Sequence, residues 1–246
     1  MDESVGSLVG GSGQSSLGVR SKWKSWVILL SFLVVWMLVL IISSLAIFLV
    51  LFVVGISEGM ALSISGILAY IILIPLTIFF IHVDGNLERT KQMLSFGSTK
   101  RVLILFIGVP LVITIIDFVL SMIYTIIWLG IIGEPSTNTD LGTNWESNYI
   151  DIAMLFISVA IVTPIVEELM FRGYILDAIN RKHSDWTAII WSSILFGLIH
   201  IDPFVMGQAF MGGILYGWIR IRTGSLLPSI AGHMMWNMLA LALTYL

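Results

Sequence analysis

Glu167, Glu168 and Arg172 fall within six residues of one another in the run TPIVEELMFRGYIL, where the flanking side chains are apolar enough to lie in lipid. A charged group at the centre of a spanning helix costs roughly 2.5 to 3.5 kcal/mol, so three of them together imply a use. A carboxylate in a poorly hydrated pocket, assisted by a histidine, can take a proton from water as the water attacks an amide carbonyl and return it to the leaving amine. No covalent nucleophile is required. Glu168 and Arg172 are spaced i to i+4 with the acid N-terminal, the favourable order for a helical ion pair, so Arg172 is expected to neutralise and orient while Glu167 acts as base.

Further candidates lie downstream. His200 follows an apolar run, and His233 and Asn237 are again i to i+4, on one face of the last helix. There an imidazole and a carboxamide could stabilise a developing oxyanion. Alternatively, Glu167, His200 and His233 offer two nitrogens and an oxygen to a zinc-like metal that would polarise the water. Each residue also has a plainer reading. A single histidine in an apolar helix is often a hydrogen-bonded packing residue, and Asp117, in the middle of an apolar run, reads first as a helix-to-helix hydrogen bond. Gly207, Gly212, Gly213 and Gly217 read as a small face for close helix packing. His82 and His183 fall near helix ends and are expected to be solvated.

The elements that must position these groups follow from composition. In 246 residues, 58% are apolar and only 11% charged, far from the globular norm. The expected fold class is all-α, a polytopic transmembrane helix bundle of about seven spans, or eight with broken or re-entrant segments. Such a chain has no room for a sizeable soluble domain. The absence of cysteine excludes disulfide frameworks, thiolate metal sites and cysteine nucleophiles. The Gly- and Ser-rich residues 1–24 read as a disordered cytoplasmic tail. Residues 25–148 read as N-terminal transmembrane helices, with a first span of about 25–54 that is too long for a cleavable signal core. Residues 149–246 read as a catalytic transmembrane core, with helices at about 149–180, 186–201, 204–219 and 225–246.

Basic residues set the orientation, because cytoplasmic loops carry the excess of Lys and Arg. With the N-terminus inside, Arg20, Lys22, Lys24, Arg89, Lys91, Lys100, Arg101, Arg181, Lys182, Arg220 and Arg222 all fall at cytoplasmic ends, leaving Arg172 within the membrane. The outer segments then hold acids such as Glu58, Glu134, Asp140, Glu146 and Asp202. Glu167 lies 14 residues before Arg181 and His200 lies 14 after Trp186, each about 21 Å along a helix. His233 and Asn237 lie 11 and 15 residues after Arg222, about 16 and 22 Å. Three helices thus bring these groups to a common depth.

Three spaced signatures, Glu-Glu-x-x-x-Arg at Glu167, Glu168 and Arg172, Phe-x-x-x-His at Phe196 and His200, and His-x-x-x-Asn at His233 and Asn237, resemble the CAAX protease and bacteriocin-processing family of intramembrane proteases, which includes the type II CAAX prenyl endopeptidases. The Gly-rich stretch between the second and third is also similar. The resemblance covers about 149–246. It implies a helical intramembrane endopeptidase cutting near the cytoplasmic side, with Glu167 and His200 activating water, and His233 and Asn237 holding the oxyanion. A divalent metal such as zinc and a metal-free glutamate mechanism both remain open under it. The expected partners are membrane lipids and a peptide or protein substrate, prenylated or not, with no nucleic acid. A short chain of plain architecture looks like the prokaryotic members, which implies the plasma membrane. Other readings are a non-catalytic peptide-binding or bacteriocin-immunity protein, and a small transporter using the polar groups as a proton relay. The transporter lacks the expected pair of similar, discontinuous halves.

Overall fold

The structure, a computed structural model, describes residues 14–83, 87–95, 103–135 and 149–245. The expected tail up to residue 13, and Lys100, Arg101, Asp140 and Glu146 among the orienting charges, lie outside the described residues. Among the described residues there are eight helices and no strand. They are α1 (Gln14–Val53), α2 (Glu58–Val83), α3 (Leu87–Met93), α4 (Ile104–Ile131), α5 (Tyr149–Asn180), α6 (Asp185–Leu198), α7 (Pro203–Thr223) and α8 (Leu227–Tyr245). The apolar part of α1, together with α2, α4 and α5, is long and apolar enough to cross a bilayer. This is an all-helical integral membrane bundle. The expected seven spans correspond to these four helices with α6, α7 and α8, and α3 is a short extra helix.

Helix α1 begins at Gln14, well before its apolar part at Trp26, so the helix extends into the stretch read as tail. Its outward face, with Val34, Ile42 and Val50, is exposed as a lipid-facing surface must be, while Phe32 and Trp36 turn inward. Trp36 donates from Nε1 to Thr77 Oγ1 of α2 at 3.3 Å, giving its buried N–H a partner. The core gathers around α5, which is enclosed over Val166, Met170, Phe171, Tyr174, Ile175 and Ile179. A helix buried on every side is the centre of its bundle. Helices α2, α6, α7 and α8 all pack on it, and α4 closes the far side against α7 and α8.

Close approach of α7 depends on its glycines. A Cβ at Gly207 would lie 2.2 Å from the Tyr124 hydroxyl of α4, and one at Gly213 would lie 3.0 Å from the Ser193 side chain of α6. Gly212 faces Asp117 and Gly217 faces Ile189 in the same way, so the small face serves two neighbours rather than one. At the end of α7, Arg220 is not a solvated anchor. It is 4% exposed and donates to Asp177 Oδ1 of α5 at 3.4 Å and toward Met93 Sδ at 2.8 Å, because α3 folds over this end of the bundle.

Candidate active site

Helix α5 is regular only in part. The α-helical turn Thr163–Glu168 is flanked by wider π-helical turns, Ile157–Val162 and Leu169–Ile175. Such turns are frequent at functional sites because they shift side chains around the axis and leave carbonyls without an in-helix partner. Here the carbonyl of Val159 accepts from Asn237 Nδ2 of α8 at 2.8 Å. Pro164, at the start of the α turn, lacks the N–H that would otherwise need an acceptor.

Adjacent residues on a helix point about 100° apart, and Glu167 and Glu168 separate accordingly. Glu168 and Arg172 are both 0% exposed, and Arg172 Nη1 donates to Glu168 Oε1 at 2.9 Å across one turn. The other arm of the guanidinium donates from Nη2 to the Gly213 carbonyl of α7 at 3.1 Å, which the missing Cβ permits. The guanidinium also sits 4.3 Å from the centre of the Phe196 ring, a cation–π contact within a dry interior. Glu168 Oε1 is shared, since His233 Nδ1 of α8 lies 3.1 Å from it. The carboxylate joins α5 to α8, and the guanidinium adds α7 through Gly213.

Glu167 turns the other way. It is 4% exposed and lines a cavity of about 480 Å³ together with His200, His233, Asn237 and Asp117. Tyr70 of α2 donates to Glu167 Oε1 at 2.7 Å, and Oε2 has no hydrogen-bond partner among the described residues. One oxygen is held and the other is buried without a partner. The structure brings all four expected catalytic residues to the walls of this one cavity.

His200 is not on a helix. The sequence reading ran the span through Ile201, whereas α6 ends at Leu198 and His200 occupies the turn that follows. The reason is the next helix start. Asp202 accepts from the N–H groups of Phe204 and Val205 at 2.9 and 3.1 Å, with Pro203 as the first residue of α7. A residue before proline is pushed out of the helical region, so Asp202 cannot extend α6, which has already ended at Leu198. Ile201 closes the gap at φ 61°, a conformation rare for a β-branched side chain and found where function imposes strain. In this turn His200 Nδ1 lies 2.9 Å from the Phe196 carbonyl, which can only accept. Nδ1 therefore carries the hydrogen, leaving the Nε2 lone pair for the cavity. The Phe196 ring stands edge-on to both His200 and His233, at 5.0 and 5.6 Å between centroids, and so spaces the two imidazoles.

Two tyrosines and an aspartate complete the walls. Tyr216 of α7 stacks on His233, with centroids 5.4 Å apart, and donates to Asp117 Oδ2 of α4 at 2.7 Å. Neither Tyr70 nor Tyr216 was singled out from the sequence. The available signal was a phenol in the interior of a bundle helix, which needs a partner when buried. Asp117 joins the cavity and also makes a helix-to-helix bond, so both of its readings hold geometrically.

The alternative ligand set of Glu167, His200 and His233 is not assembled. Among the described residues no three His, Asp or Glu groups are grouped to hold a metal ion. Glu167 Oε1 is held by Tyr70, while the contacts of the two histidines, to Phe196 and to Glu168, are made by Nδ1 and not by Nε2.

Comparison with known proteins bears on the same residues. The family described as "Type II CAAX prenyl endopeptidase Rce1-like" matches residues 149–239, a span that holds all three signatures. "Putative membrane peptidase YdiL" of Bacillus subtilis (strain 168) is 30% identical over 86 residues, 35% of this chain and 35% of its own. "UPF0177 protein YbdI" of Lactococcus lactis subsp. lactis (strain IL1403) is 31% identical over 90 residues, 35% of this chain and 47% of its own. An "Uncharacterized 24.3 kDa protein" of Escherichia coli is 27% identical over 89 residues, 34% of this chain and 41% of its own. The matches thus span between a third and a half of each relative's length. No solved structure matches this chain.

Proposed function

From residues 149–239, which are Rce1-like, within an integral membrane helix bundle, we propose that the protein is an intramembrane endopeptidase that hydrolyses a peptide bond of a membrane-associated or lipid-modified chain by glutamate-activated water. The observation that carries this reading is the convergence of Glu167, His200, His233 and Asn237 on one buried cavity.

The attacking water lies between the unpartnered Oε2 of Glu167 and the His200 ring. Glu167 takes a proton as the water oxygen bonds to the carbonyl carbon. The carbonyl oxygen becomes an oxyanion facing α8, where the second hydrogen of Asn237 Nδ2 donates to it beside the His233 ring. His233 is oriented there by its Nδ1 contact with Glu168. Glu167 then passes its proton to the amide nitrogen, the C–N bond breaks, and a carboxylate and an amine leave. Tyr70 steadies Glu167 throughout, and Arg172 fixes Glu168 beneath His233. No step is routed through a metal.

The excess of basic residues at one set of helix ends supports a cytoplasmic N-terminus, and the plasma membrane of a prokaryote is the proposed location. The test is cleavage of a peptide library, prenylated CAAX peptides included, by purified protein in detergent, with Glu167→Gln beside the wild type. The substitution should lower kcat by about 10²- to 10⁴-fold, the usual weight of a general base. Full function of Glu167→Gln in cells, with no cleavage of any peptide, would instead identify a non-catalytic peptide binder.

A further inference from the structure

A second cavity of about 260 Å³ adjoins the first, and the two share Gln208 and Trp236 as walls. Ser121, Met122, Thr125 and Ile126 of α4 also line it. Met122 and Ile126 are 51% and 67% exposed, so this cavity opens on the lipid-facing flank of α4. Its polar side is a stripe on an otherwise apolar helix. Asp117 in the first cavity and Ser121 in the second are one turn apart, both buried, and Asp117 Oδ1 and Ser121 Oγ have no hydrogen-bond partner among the described residues.

Polar atoms left unpaired at membrane depth cost several kcal/mol each, so such a pair calls for a visiting partner. A peptide arriving for hydrolysis has the matching need. To present one amide to a buried base it must be locally extended, and its freed backbone groups then have no water to turn to. The spacing also agrees. The four residues from Asp117 to Ser121 advance about 6 Å along a helix, and alternate residues of an extended strand, whose N–H and C=O point the same way, recur every 6.6 Å or so.

We propose that the substrate leaves the catalytic cavity as an extended apolar peptide along α4. A backbone N–H is donated to Asp117 Oδ1, a backbone C=O two residues further on accepts from Ser121 Oγ, and the intervening apolar side chains pass between Trp236 and Met122 toward lipid. This deepens the endopeptidase reading and rests on it for the cleavage it invokes.

The experiment uses the full-length protein in detergent and apolar peptides of about 20 residues, shortened stepwise from each end. On the longest cleaved peptide, Ser121→Ala should raise KM about tenfold, the size of one lost hydrogen bond, with little change in kcat. The Ser121→Ala penalty should fade as the peptide is shortened from one end and persist when it is shortened from the other. A penalty independent of length, a loss confined to kcat, or no loss at all would overturn the groove. A photoreactive benzophenone side chain at position 122 in the Glu167→Gln background gives a reading without turnover. It should capture the long peptide and fail with the peptide truncated at the groove end; capture of lipid alone would overturn the proposal. Capture without cleavage by the wild type would remove the peptidase and keep the groove, and cleavage without capture would do the reverse.

Discussion

His200 and His233 each have Nδ1 pinned by a neighbour, and the neighbours differ, a carbonyl at Phe196 and a carboxylate at Glu168. The carbonyl can only accept, so it fixes a hydrogen on His200 Nδ1, and the carboxylate ties His233 Nδ1 to an oxygen that Arg172 also holds. The sequence alone shows two histidines near a glutamate pair. It does not show this division, because both pinning atoms are set by tertiary placement. Tyr70 illustrates the same limit, since it bonds Glu167 from 97 residues away, and nothing local distinguishes it from a packing aromatic. Its role is testable. Removal of the hydroxyl in Tyr70→Phe leaves both Glu167 oxygens without a fixed donor, and a hydrogen bond to a charged group is worth about 1.5 to 3 kcal/mol. Cleavage kinetics should show kcat reduced by at least about tenfold with KM nearly unchanged. Equal kcat for the two proteins would place Tyr70 outside the machinery.

At the level of elements, the spans were legible because apolar runs long enough to cross lipid can hardly be anything else. The turn between α6 and α7 was not, although its parts are visible as Asp202 and Pro203. An apolar count runs through His200 and Ile201, because the break at Leu198 is set by the turn that leads into the Asp202–Pro203 helix start and not by any polar residue before it. The π-helical turns of α5 were equally hidden, since no residue type announces them. Ile201 at φ 61° makes a prediction at this scale. A β-branched residue in the left-handed region is strained by about 1 to 2 kcal/mol, and glycine is not. Ile201→Gly should therefore raise the thermal midpoint of the purified protein in detergent, while the loosened turn lets His200 wander and lowers kcat. A gain in stability without loss of activity would mean that the strain does not serve the histidine.

Across the whole molecule, the division of the chain at about residue 148 does not coincide with the walls of the cavity. The three signatures lie after it, but Tyr70 and Asp117 reach in from α2 and α4, so the N-terminal helices are more than a lipid-facing jacket. Those helices looked generic in the sequence because their contribution is one polar group each. The centre of the bundle carries a further consequence. Arg172 and Glu168 pair within a single helix, one turn apart, so their contact needs no other helix in order to form. During biogenesis α5 can therefore leave the translocon with one of its two central acids already matched and wait in lipid for α6, α7 and α8 to be synthesised. A Leu169→Arg/Arg172→Leu double substitution keeps the composition but sets the arginine one and two residues from Glu168 and Glu167, where it faces neither. Glycosylation mapping of α5 alone should then show membrane integration disfavoured by about 1 kcal/mol. If integration is unchanged, the pair forms only on assembly; if it falls, the active site's charges are also what lets its central helix be made.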